Sequence, residues 1–233
     1  MRKAGIGALL LLNATLLTTL LMQGAEAHSG ATFYKARWNP GSTVNYNVDN
    51  DVPSSMRDAM HAGLNNWDDL AAGNGPHFVN QGPIAGSNDY DPCTGPSNLY
   101  IIEDLGLVWT GRPVDSEQYL GVTQWCTSGS SGIDRITKFQ ITFEKTAELA
   151  GASGWYTGSG QPGANQWDLR SIATHEAGHV TGFYGHFDES PVACPLDVDR
   201  ATMCGGHVEM KGTTRLRTRE AHDNHTFADV YMP

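Results

Sequence analysis

The chain has 233 residues, with 15 basic against 25 acidic side chains, a net charge of −10 and 27 glycines. That length suits a compact domain with a substantial core. An acidic chain with no basic run speaks against a nucleic-acid binder and against attachment to anionic membranes by charge.

Residues 1–27 read as a signal peptide. Arg2 and Lys3 form a short basic start, residues 4–22 are largely apolar, and Ala25, Glu26 and Ala27 supply a small-x-small cleavage site before His28. Asn13 and three threonines interrupt the apolar run and no basic cluster follows Met22, which favours cleavage over a permanent anchor. The expected product is secreted, extracellular and without stable membrane association. Residues 28–233 would then be one domain of 206 residues with a net charge of −11. In an exported chain the four cysteines, Cys93, Cys126, Cys194 and Cys204, read as two disulfides. Three pairings exist, and nearness in sequence favours Cys93–Cys126 with Cys194–Cys204. No CxxC pair is present to suggest a cysteine zinc site.

Residues 42–47 alternate polar and apolar as a first strand. Pro53 opens a helical pattern at a position where its missing N–H costs nothing, and Met56, Met60, Leu64, Trp67 and Ala71 recur at helical spacing as a core-facing stripe. His61 lies off this stripe and reads as exposed. Further strands are expected at residues 77–79, 99–102, 119–125 and 136–144, and a surface loop at 151–163. A second helix follows, capped by Asn165 or Asp168, with Leu169, Ile172, Ala173 and Ala177 facing inward. After Gly182 the chain reads as irregular to Arg215, with a closing helix at 217–231.

The second helix carries His175, Glu176 and His179. Two histidines four residues apart share one helix face and can reach one metal ion, while the glutamate between them can take a proton from water without being a ligand. Gly182 can end the helix in a left-handed conformation and turn His186 back toward the same ion. Three imidazoles and one open position suit catalytic zinc.

With Trp167 to Ala173 ahead of the motif and Ala201, Thr202, Met203 and Cys204 after it, the chain resembles the metzincin zinc endopeptidases, most of all a small secreted bacterial matrixin-type protease. The resemblance implies an α+β fold. Its upper part is α/β-type, a twisted mixed five-stranded sheet with two long helices. Below it lies a small irregular C-terminal subdomain with a final helix. It implies that His175, His179 and His186 bind one Zn2+, that Glu176 is the general base, and that Met203 underlies the metal. It also implies that the 119–125 strand offers its edge to an extended peptide, and that residues 205–209 wall the side-chain pocket. The family normally has two residues between the glycine and the third histidine; here Phe183, Tyr184 and Gly185 make three. Asp188 and Glu220 therefore stand as rival third ligands. No propeptide cysteine that would cap the zinc is visible.

The expected partner is a polypeptide substrate, and the domain is expected to act as a monomer. Two alternatives stay open: a catalytically inactive extracellular binding module on the same fold, and zinc hydrolysis of a non-peptide, cell-wall-type linkage. His222 and His225 are spaced for one helix face, but solvated or packed histidines are the commoner outcome. Asp89, Asp91, Asp104, Asp115 and Glu117 lie in expected loops without regular calcium-ligand spacing, so calcium is possible but unsupported.

Overall fold

The computed structural model describes residues 36–68, 73–85, 93–94, 99–103, 120–129, 134–148, 151–183, 202–203 and 211–232. The signal segment, the acidic loop residues Asp89, Asp91, Asp104, Asp115 and Glu117, Cys194, Cys204, His186, Asp188 and residues 205–209 lie outside the described residues. Among the described residues no helix is long and apolar enough to cross a membrane.

The architecture is mixed α+β. Strands β1 (Ala36–Arg37), β2 (Thr43–Asp49), β3 (His77–Ile84), β4 (Leu99–Glu103), β5 (Gly121–Ser128) and β6 (Asp134–Glu144) make one sheet. Its strands β3, β2, β4 and β6 run parallel in that order, and β5 closes the far side antiparallel to β6. Among the described residues the sheet therefore has six strands where five were expected. The addition is β1, a two-residue piece pairing with Asp134 and Arg135 at the start of β6. A two-residue strand has no sequence periodicity to read.

Helices α1 (Ser54–Asn65) and α2 (Leu169–Val180) pack on each other, and α3 (Ala221–Tyr231) closes the chain. The apolar stripe of α1 buries Met56, Met60 and Leu64 as its spacing demands. The helix stops at Asn65, before Trp67; the buried Trp67 indole instead donates to the Thr174 carbonyl of α2 at 2.8 Å. Phe139, Ile141 and Phe143 of β6 are fully buried, each contributing roughly 1.5–3 kcal/mol of apolar burial. His61 is not simply exposed. It is half-buried, 3.0 Å from the Tyr46 hydroxyl and 2.9 Å from the Asn80 amide, so α1 is pinned to β2 and β3.

The segment expected as a surface loop holds a strand, β7 (Trp155–Tyr156), paired parallel with β8 (Trp167–Asp168) directly before α2. Asp168, not Asn165, caps α2. Its carboxylate accepts from the Ser171 N–H at 2.9 Å and is gripped by the Arg217 guanidinium at 2.6 and 2.9 Å. At the other end of α2 the Trp38 indole donates to the Val180 carbonyl and the Tyr231 hydroxyl to the Thr181 carbonyl, at 2.8 and 2.7 Å. Segments from both ends of the chain thus hold the carbonyls that the last helical turn leaves unpaired.

Candidate metal centre

Helix α2 brings His175, Glu176 and His179 into the interior. His175 and Glu176 are buried and His179 is half-buried. The two imidazoles lie with ring centroids 5.0 Å apart and their planes nearly perpendicular, as two residues four apart on one face should. Each ring is oriented through Nδ1, which lies 2.7 Å from the Thr202 carbonyl oxygen in His175 and 2.8 Å from the Phe183 carbonyl oxygen in His179. A carbonyl only accepts, so both Nδ1 atoms are the donors and a neutral ring carries its lone pair on Nε2. That is the tautomer a histidine needs to bind a metal through Nε2, and main-chain oxygens set it.

Gly182 follows α2 with a φ of 110°, and its N–H donates to the His179 carbonyl at 2.8 Å. L side chains rarely adopt that φ. The helix therefore stops where expected, and Phe183 supplies the carbonyl that orients His179. Residues 184–201, with His186 and Asp188, are outside the described set. Among the described residues no group of three or more metal-ligating side chains is gathered. Glu220, the other rival, lies at the N-terminus of α3, where its side chain accepts from the helix main chain in a capping box with Asp223.

Met203 is fully buried directly beneath α2. A Cβ placed on Gly178 would sit 2.1 Å from its sulfur, so only glycine lets the methionine pack this closely. The turn holding Met203 is fixed by Asp223 of α3, which accepts from the N–H groups of Thr202 and Met203 at 2.7 and 3.2 Å and of Glu220 at 2.8 Å. Burial pushes the Asp223 carboxyl up, and these hydrogen bonds pull it back. His225 points toward Asp229 on the exposed side of α3, 3.9 Å away, which leaves it a surface residue.

Glu176 is a buried carboxyl facing strand β5. The Thr123 hydroxyl lies 2.8 Å from its Oε2 and 3.0 Å from its main-chain oxygen. A Cβ on Gly121 would come within 2.8 to 3.0 Å of the Glu176 Cγ, Oε1 and Cδ. Burial pushes this carboxyl up to about 7, against the opposing pull of the Thr123 hydrogen bond. A carboxyl that changes protonation near neutrality suits general acid–base work. Outside the centre, a disulfide joins Cys93 to Cys126 of β5, the nearer-in-sequence pairing.

Thr202, Asp223, Thr123 and Gly121 had no assigned role from the sequence. Each acts through a main-chain group or across a long sequence separation, and neither leaves a local pattern. No protein-family model matches the chain, and no curated protein matches it closely enough to count as a relative.

Proposed function

We propose that this protein is a secreted zinc-dependent endopeptidase of metzincin type. The observation that carries the reading is the paired orientation of His175 and His179, each held through Nδ1 by a main-chain carbonyl, with the buried Glu176 carboxyl between them in sequence. Two nitrogen donors in this tautomer fit zinc, and His186 is the proposed third ligand, with Asp188 its rival. Zinc held there would polarise a carbonyl and lower the pKa of water to about 7.

The chain's own residues account for the remaining steps. Glu176 takes a proton from the attacking water and passes it to the leaving amine, its burial keeping the carboxyl poised for both transfers. Among the described residues strand β5 pairs with β6, and an extended polypeptide adds along its other edge. The glycine ending α2 and the buried methionine under it support the metzincin reading.

The test is purification of the chain starting at His28, followed by zinc analysis and cleavage of an unfolded protein. Cleavage should stop with a chelator and return with added zinc. Zinc bound without cleavage of any protein would favour the inactive binding module instead. For the third ligand, His186→Ala should lose zinc while Asp188→Ala keeps it; the opposite outcome would give the role to Asp188.

A further inference from the structure

We propose that Thr123 is a positioning residue for Glu176, and that it works together with Gly121 as a cradle built into strand β5. This rests on the zinc-peptidase reading above. Residues 121 and 123 point to the same face of β5, because side chains alternate along a strand. That face meets α2 at Glu176. On one flank the Thr123 hydroxyl reaches Oε2 at 2.8 Å; on the other, Gly121 leaves room for Cγ, Cδ and Oε1 where any Cβ would collide. The same hydroxyl lies 3.0 Å from the Glu176 main-chain oxygen. The hydroxyl has one proton, so the shorter bond to Oε2 ties the carboxylate to the strand while the main-chain oxygen lies close by as a second acceptor.

The consequence is chemical. A glutamate side chain has several rotamers, and proton transfer requires its oxygen within about 2.6–3.2 Å of the donor. The hydroxyl holds Oε2, and the absence of a side chain at Gly121 leaves the space in which the rest of the glutamate lies against the strand. Both features belong to the strand along which the substrate is proposed to lie, so substrate register and base position share one rigid support. Serine offers the same hydroxyl, whereas valine keeps the shape and strand preference but not the donor.

The experiment compares wild type with Thr123→Val, Thr123→Ser and Gly121→Ala. In the zinc-free proteins, the side-chain carboxyl carbon of Glu176 is followed by carbon-13 NMR and assigned by its loss in Glu176→Gln. It should shift in Thr123→Val and Gly121→Ala and return to the wild-type position in Thr123→Ser. On a peptide substrate, Thr123→Val should lower kcat by about 10-fold or more, the scale of losing one hydrogen bond to a charged group, with KM nearly unchanged. Thr123→Ser should recover most of it. Zinc affinity, read by chelator competition, should be the same in all four proteins. An unmoved carboxyl signal in Thr123→Val, or kcat within twofold of wild type, would overturn the assignment. If wild type cleaves nothing, the peptidase reading fails, and the zinc-free NMR comparison still decides the cradle.

Discussion

Asp223 accepts the N–H of Thr202 at 2.7 Å, and the carbonyl of that same Thr202 lies 2.7 Å from Nδ1 of His175. One residue of a turn thus links a carboxylate on the last helix to a proposed metal ligand on α2. Replacing Asp223 with Ala leaves two buried N–H groups of the turn without their acceptor, at about 1–3 kcal/mol each. Zinc affinity should fall about 10- to 100-fold, the usual effect of losing an outer partner of a ligand. Thermal unfolding and chelator competition measure the two effects. Unchanged zinc affinity in a folded Asp223→Ala protein would show that the turn does not orient His175.

Arg217 should be as sensitive as a core residue. Its guanidinium holds the buried carboxylate that caps α2 and also donates to the carbonyls of Gly158 and Ser159. Arg217→Ala strands that carboxylate and should cost about 3–5 kcal/mol. Lys offers a point charge in place of the two-pronged fork, so Arg217→Lys should recover only part of the loss. Denaturant midpoints of the three proteins decide this; full recovery by Lys would mean that charge alone matters.

Gly178→Ala sets two effects against each other. Alanine favours a helix interior by about 1 kcal/mol over glycine. Its Cβ, however, would lie 2.1 Å from the Met203 sulfur and 2.9 Å from the Trp67 ring, both fully buried, and overpacking of this kind costs about 1–3 kcal/mol. The clash should win, giving a lower melting temperature. A higher one would show that Met203 can move aside.

Much of the centre was legible because local rules govern it. The cap of α2, which falls on Asp168 and not on Asn165, the four-residue histidine spacing and the glycine that ends α2 are all short-range features. The supports were not legible. Thr123 meets Glu176 across 53 positions, and the partner of His175 is a main-chain oxygen with no residue signature. The α1 stripe overran for a related reason: Trp67 continues the spacing, yet its indole hydrogen bond to Thr174 belongs to tertiary packing. The β7–β8 pair consists of two-residue pieces too short to alternate.

His61 should make the fold acid-sensitive. Burial lowers its pKa below the ordinary 6.5; nearby Asp58 opposes this and Arg57 adds to it. Below 6.5 the unfolded chain binds a proton that the folded chain refuses. Stability is therefore lost as pH falls through that value, down to the lower folded pKa. Gln at position 61 can keep hydrogen bonds to Tyr46 and Asn80 but cannot titrate. Denaturation of both proteins between mildly alkaline and mildly acidic pH should show a steeper acid-side loss in wild type. Parallel curves would remove His61 as the cause.

The most direct measurement compares peptide cleavage by wild type and Glu176→Gln at matched zinc occupancy. Glutamine retains the shape of the buried side chain and does not accept the proton. Full zinc binding is therefore expected with turnover reduced by at least about 100-fold, the lower end for loss of a general base. Equal cleavage by the two proteins would contradict the assignment of Glu176 as the base, and with it the mechanism proposed for this centre.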